Sequence, residues 1–339
     1  MEPADLFGFR PDAARARYLD QRARTELASS LDEVFAACRG HLVWDEAAGE
    51  ELLAAIRRHH VTPGLFGLYA DLVETVFADH LDEAQALISA ITNPTLRASP
   101  GRRVLTLADD DLGLGQAVRY RRLLNDEPDV AIAVAPVDKA ACDRAAASLA
   151  EAEALLAESA PEIAGEIAEL VRQTIIVQSR PTAEYPLIFD GASTFYLWGA
   201  VFLNVDRLPT RVALAEALVH EVGHCHLFGI TLGAPLVENP ANERYASPLR
   251  EDPRPMDGVV HAAYVLARMM YCLDRLIASG VLTPEEADAA SAALRRDRTL
   301  FDEGLVLIDR SARFTPTGAA VFDHARRFVE AIEIRAHAA

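Results

Sequence analysis

Through most of the first 170 residues, apolar positions recur at three- and four-residue spacing, the period of helices with one buried face. Alanine-rich, charge-laced segments of this kind predict helices at Asp12–Cys38, Asp45–His60, Leu65–Ile91, Leu114–Leu124 and Lys139–Glu158. Pro63-Gly64 and Asn93-Pro94 punctuate them, and the loop composition of residues 93–103 marks a candidate break. Ala131–Val134 reads as a short strand. After Val171 the pattern changes. Thr174-Ile-Ile-Val-Gln predicts a strand, and the apolar and aromatic run from Pro186 to Val205 predicts two or three more. Helical spacing returns at Thr210, whose hydroxyl suits an N-cap, with Val212, Leu214, Leu218, Val219, Val222 and Leu227 as apolar positions. The chain is irregular and proline-rich from Gly233 to Gly258, and a loop of that length inside a compact domain usually serves a function. Val259–Ser279, Thr283–Arg313 and Thr315–Ile334 then predict three helices, the last two opened by Thr-Pro capping signals. The expected fold class is α+β, predominantly helical, with a small antiparallel sheet. The expected organisation is a helical region, residues 1–170, followed by residues 171–339, which carry the chemistry.

Composition narrows the class. With 51% hydrophobic residues in 339, the chain can bury a large core. A formal net charge of −18 argues against nucleic acid as a partner, since phosphate binding wants clustered Lys and Arg. Cys38, Cys142, Cys225 and Cys272 are scattered without a C-x-x-C pair. That favours reduced thiols in a cytoplasmic protein over disulfides or a thiolate zinc site. The first residues carry no signal-peptide pattern, and the most apolar stretch, Phe195 to Val205, is too short to cross a bilayer, so no membrane association is expected.

The chemistry lies in Leu218-Val-His220-Glu221-Val-Gly-His224. Two histidines four apart share one face of a helix and can share a metal ion. Glu221 is placed to handle a proton on a bound water or substrate. His226 points to a different face and reads as structural. A catalytic metal wants a third protein ligand. Leu227 stands where a metzincin would need glycine, and Glu238, Glu243 and Glu251, the gluzincin-type candidates, fall in the proline-rich loop. His261, on the first turns of the next apolar helix, is the better candidate, with a satisfied core histidine as the alternative.

His220-Glu-Val-Gly-His, followed by Ser247-Pro-Leu-Arg-Glu-Asp-Pro-Arg-Pro-Met-Asp-Gly-Val-Val-His-Ala-Ala-Tyr, resembles the HExxH-motif domain family found beside ribosomal-peptide biosynthesis genes. Members of that family are described as α-ketoglutarate-dependent peptide β-hydroxylases. The resemblance covers roughly Phe189 to Leu273. It implies a zincin-like metal core in which His220, His224 and His261 hold iron(II) on one side of the metal. It further implies that Arg254, and after it Arg250, receives the distal carboxylate of α-ketoglutarate, with dioxygen as the other co-substrate. Glu221 would orient water or a substrate group, or hold a ligand histidine. The substrate would be a precursor peptide, with residues 1–170 as the region that would recognise it. Both arginines have an alternative role, fastening the loop through Asp252 or Asp257. Leu249 stands where the resemblance leads one to expect an aromatic residue. The rival enzyme is a zinc metallopeptidase with Glu221 as general base. A third reading is a peptide-binding module whose metal site is structural.

Overall fold

The computed structural model describes residues 6–93, 101–113, 115–125, 132–183, 185–247 and 250–332, with only the backbone of residues 250–252. Most of the loop expected at residues 93–103 lies outside these residues, as do Ala131, Leu249 and the end of the last expected helix at Ile334. The chain is predominantly helical with a small sheet. By its contacts it divides into two units built from separated segments. The first takes Met1–Ala16, Asp143–Ile167 and Val205–Ala339, and the second Arg17–Cys142 and Ala168–Asn204. This is a different partition from a single division at residue 170, because strands from both sides of that point pair in one sheet.

In the second unit, helices α1 (Ala13–Cys38), α2 (Glu46–Arg58), α3 (Pro63–Phe77) and α4 (Leu81–Ile91) contribute to a core that includes Leu31, Leu52, Ile56, Leu65, Leu72 and Ile88. Asp45 caps α2 by accepting from the amides of Ala47 and Ala48. The single helix expected over Leu65–Ile91 is two. Asp79 adopts φ 58°, a left-handed conformation that ends α3, and Asp is among the few residues that tolerate it.

The sheet contains β1 (Arg103–Thr106), β2 (Val134–Pro136), β3 (Gln173–Ser179), β4 (Gly191–Ala192) and β5 (Ala200–Asn204). Its order is β1-β3-β5-β4, with β2 also on β3. The expected antiparallel sheet is therefore mixed: β1 and β5 flank β3 in parallel, whereas β2–β3 and β4–β5 are antiparallel. Parallel pairing needs a long crossover, and residues 107–172 and 180–199 supply two. The helices α5 (Asp109–Leu112), α6 (Gln116–Leu124), α7 (Lys139–Ser159) and α8 (Pro161–Leu170) lie in the first of these. Thr174 to Val177 are buried on both faces of β3, the continuous run that a flanked parallel strand requires.

In the first unit, α9 (Arg211–Thr231) carries the histidine motif and packs against α10 (Met256–Ser279). Helices α11 (Pro284–Ser311) and α12 (Pro316–Ala331) also pack on α10. Thr210, Thr283 and Thr315 cap their helices as the sequence predicts, and Thr283 forms a full capping box with Glu286. Between α9 and α10 the irregular stretch holds a hairpin, β6 (Tyr245–Ser247) with β7 (Arg250–Arg254). The start of that stretch is fastened to the α11–α12 junction. The Thr315 amide donates to the Leu236 carbonyl at 3.0 Å, and the Glu238 amide to that of Arg313 at 2.6 Å. A Cβ at Gly318 would lie 1.9 Å from the Leu236 oxygen, so only glycine permits this approach.

Candidate metal centre

Helical spacing brings His220 and His224 together, and close packing brings the next helix to them. Gly223, inside the motif, is the contact point: a Cβ there would sit 3.1 Å from Val265 Cγ1. Val265 lies one turn beyond His261 on α10, so an absent side chain on α9 lets the third histidine approach the first two.

The Nε2 atoms of His220 and His224 are 3.2 Å apart. On its other side, His220 Nδ1 lies 3.2 Å from Met269 Sδ. A thioether can only accept, so the proton of a neutral His220 belongs on Nδ1, and the Nε2 lone pair is aimed at His224. Glu221, 2% exposed, brings Oε1 to 3.8 Å from His220 Nε2. The His261 ring lies nearly parallel to that of His224, with centroids 6.0 Å apart. Phe228, one turn after His224, stands 6.2 Å from His224 and 6.1 Å from His261, forming an aromatic wall. His261 Nε2 lies 3.4 Å from Asp257 Oδ2, and the other oxygen of Asp257 accepts from the Leu236 amide at 2.8 Å. Asp257 thus orients the imidazole and leaves Nδ1 as the nitrogen for a ligand. At the start of α10, a Cβ on Gly258 would lie 3.5 Å from Arg254 Cζ, so the guanidinium rests over the first turn of the helix.

The electrostatics suit ligation. Burial, followed by the charges of His220, His261 and Arg254, holds His224 well below the ordinary histidine range. Burial also lowers His261, with Asp257 opposing and Arg254 reinforcing. Neutral imidazole is the form that binds a metal. Two nitrogens each ~2.0–2.1 Å from one ion must lie within about 4.1 Å of each other, and the 3.2 Å between His220 and His224 meets that condition. The third position is looser. Among the described residues, no three His, Cys, Asp or Glu side chains converge on one ligating point.

Of the residues singled out from sequence, His220, Glu221, His224, His261 and Arg254 are brought to one region, while Arg250 enters only by its backbone on β7. Glu243 accepts from the Tyr245 hydroxyl at 2.5 Å, a partner that ties it to the hairpin. His226 is engaged elsewhere, receiving the Arg15 Nε–H at 3.2 Å on Nε2 and meeting the Tyr264 hydroxyl at 2.9 Å on Nδ1. Asp257, Met269 and Phe228 were not picked out as members of the centre. The spacing of Asp257, four before His261, and of Phe228, four after His224, offered a signal; nothing local marks Met269. All four cysteines are buried and unbridged. Among the described residues, no helix is long and apolar enough to cross a membrane. A scan against protein-family models finds no match, and neither does a search of the curated proteins.

Proposed function

We propose that the chain is an iron(II)- and α-ketoglutarate-dependent dioxygenase that hydroxylates the β-carbon of a residue in a ribosomally made precursor peptide. The observation that carries this reading is the position of Arg254, whose charge bears on both His224 and His261. A keto-acid that chelates a metal through one end presents a second carboxylate at the other, and a guanidinium beside the ligand histidines can take it bidentately. The likeness of residues 189–273 to peptide hydroxylases points the same way.

In this reading His220 and His224 would hold iron(II), with His261 as the third protein ligand. Met269 and Asp257 fix the orientation of the outer two imidazoles. Arg254 anchors the distal carboxylate of the keto-acid. Phe228 shields one wall of the centre from water. Glu221, buried beside His220, accepts a hydrogen bond from a substrate amide or ordered water and keeps it in register. When bound, iron(II) would activate dioxygen, which is the oxidant: the keto-acid would give up two electrons and carbon dioxide to become succinate, taking one oxygen atom, and the other oxygen atom would become the new hydroxyl.

A zinc metallopeptidase is the second reading, favoured by the 3.8 Å approach of Glu221 Oε1 to His220 Nε2, where a general base would stand. One experiment separates the two. Under anaerobic conditions, iron(II) and then α-ketoglutarate are added to metal-free protein and the visible spectrum is recorded. A weak charge-transfer band that needs both additions, and is lost in Arg254→Ala while iron still binds, supports the hydroxylase. No band, together with tightly held native zinc, would sink it in favour of the peptidase.

A further inference from the structure

Away from the histidine cluster, the first unit contains a cleft of about 460 Å³ whose lining is out of character with the chain. On a protein of net charge −18, Arg10, Arg15, His324 and Arg327 line it, together with Phe9 and Phe328. Among the described lining residues there is no carboxylate. Phe9 and Phe328 stack with ring centroids 4.8 Å apart and form an apolar floor. Arg15 is a fixed cation: its Nε donates to His226 at 3.2 Å, and its Nη2 donates to the Arg10 carbonyl. Arg10 and Arg327 are exposed, one at each side of the floor in sequence terms: Arg10 precedes α1 and Arg327 lies on α12.

We propose that this cleft binds an acidic segment of the peptide substrate, in which carboxylates flank a bulky apolar side chain. The inference rests on the reading of the substrate as a peptide and adds its chemistry. Guanidinium groups select carboxylates by bidentate hydrogen bonding. The exposed Arg10 and Arg327, on two separate segments, fit a ligand with several carboxylates better than a compact monoanion. The stacked phenylalanines take the apolar side chain, so specificity needs both features at once. The size falls within the ~300–1,000 Å³ of specific ligand pockets. Because Arg15 also holds His226, two residues beyond His224, an occupant here is one hydrogen bond from the motif helix.

The test uses the full chain without added metal or keto-acid, so that it does not depend on catalysis. The probe is a fluorophore-labelled, terminally blocked Asp-Glu-Phe-Glu-Asp peptide, and the control carries Asn and Gln in place of the acids. Fluorescence anisotropy should show binding of the acidic peptide, weakening as salt rises from about 50 to about 500 mM. Binding should fall at least tenfold in an Arg10→Ala/Arg327→Ala variant. Truncating those exposed side chains leaves the Arg10 carbonyl available to Arg15, and thermal unfolding checks that the variant is folded. Failure of wild-type protein to bind the probe, equal binding of the amide control, or unchanged affinity in the double variant would each overturn the proposal. Binding with no keto-acid band in the spectrum would leave the cleft standing and remove the hydroxylase.

Discussion

His224 and His226 lie two residues apart on α9, and both are held in the neutral form, yet their surroundings differ. Each ring nitrogen of His226 has a fixed partner. Arg15 can only donate, so Nε2 accepts and the proton sits on Nδ1, directed at the Tyr264 hydroxyl. The ring is fully buried and stacked on Tyr264. A larger buried network continues nearby, with Arg268 donating to Glu166 and to the Phe9 carbonyl. In the cluster, Nε2 of His224 meets the edge of another imidazole, and the side chains of His220 and His261 keep 36% and 17% exposure. A buried histidine answered on both sides is built to stay. Histidines whose Nε2 atoms face one another, within reach of solvent, are built to receive something.

The largest effect should come from exchanging these roles. His224→Ala should lower affinity for iron(II) or zinc by more than the ~10–100-fold that loss of an outer partner costs, with little change in stability. His226→Ala should keep the metal but cost about 2–4 kcal/mol, because it removes the buried acceptor of the Arg15 Nε–H and the ring nitrogen that meets the Tyr264 hydroxyl. Metal titration and chemical denaturation of both variants separate the outcomes. If His226→Ala loses metal as completely as His224→Ala while staying fully stable, the contrast is wrong. Asp257→Asn comes next. Its Oδ1 can still accept from the Leu236 amide, but the charge that orients His261 is gone, so metal affinity should drop about 10–100-fold at nearly constant stability.

The parts that were legible in the sequence are those decided within a few residues. Thr210, Thr283 and Thr315 declare their caps because the bond closes three residues on. His220 and His224 declare their pairing because four residues are one helical turn. Asp257 was equally local, but it competes for roles with Arg254, and only the packed loop shows it turned to His261 and Leu236. Met269 is invisible locally, since its approach to His220 exists only once α9 and α10 cross at Gly223. The mixed sheet escaped for the same reason: β1 reaches β3 across about seventy residues, and nothing in either strand names its partner. The break at Asp79 depends on one left-handed residue with no glycine or proline to announce it.

A third titrating group on α9 sharpens the comparison. Glu216, one turn before His220, faces Asp297 on α11 rather than the histidines, with Arg296 bonded to both. Burial first, and then the Asp297 charge, push Glu216 up to about 7, and burial raises Asp297 as well. Cys272 on α10 also feels this carboxylate. Because the folded-state value is raised, the folded protein binds the extra proton. The stabilisation is complete below the unfolded carboxylate range and is lost as pH rises through about 7. The depressed histidines have the opposite sign: their contribution is present above about 6.5 and fades as pH falls. Denaturation of wild type and Glu216→Gln at several pH values should therefore show wild type losing on the order of 2 kcal/mol relative to the variant between about pH 5 and about pH 8. Parallel pH profiles would mean that Arg296 alone neutralises the pair.

The smallest effect tests how finely the cluster depends on packing. Gly223→Ala gains up to ~1 kcal/mol in helix propensity, and its new Cβ meets Val265 Cγ1 at 3.1 Å, closer than the two helices can accept without giving way. The two terms oppose each other, so stability should change by less than about 1 kcal/mol. The distance between α9 and α10 cannot stay the same, however, and His261 reaches His224 only across that gap. Metal affinity should fall several-fold while the unfolding midpoint barely moves. Adding Val265→Ala, which removes the opposing methyl groups, should restore affinity at some cost in stability. Rescue of this kind would mean that the glycine in the motif serves the third histidine. Unchanged affinity in Gly223→Ala would mean that His220 and His224 hold the metal without help from α10, and His261 would return to being a core residue.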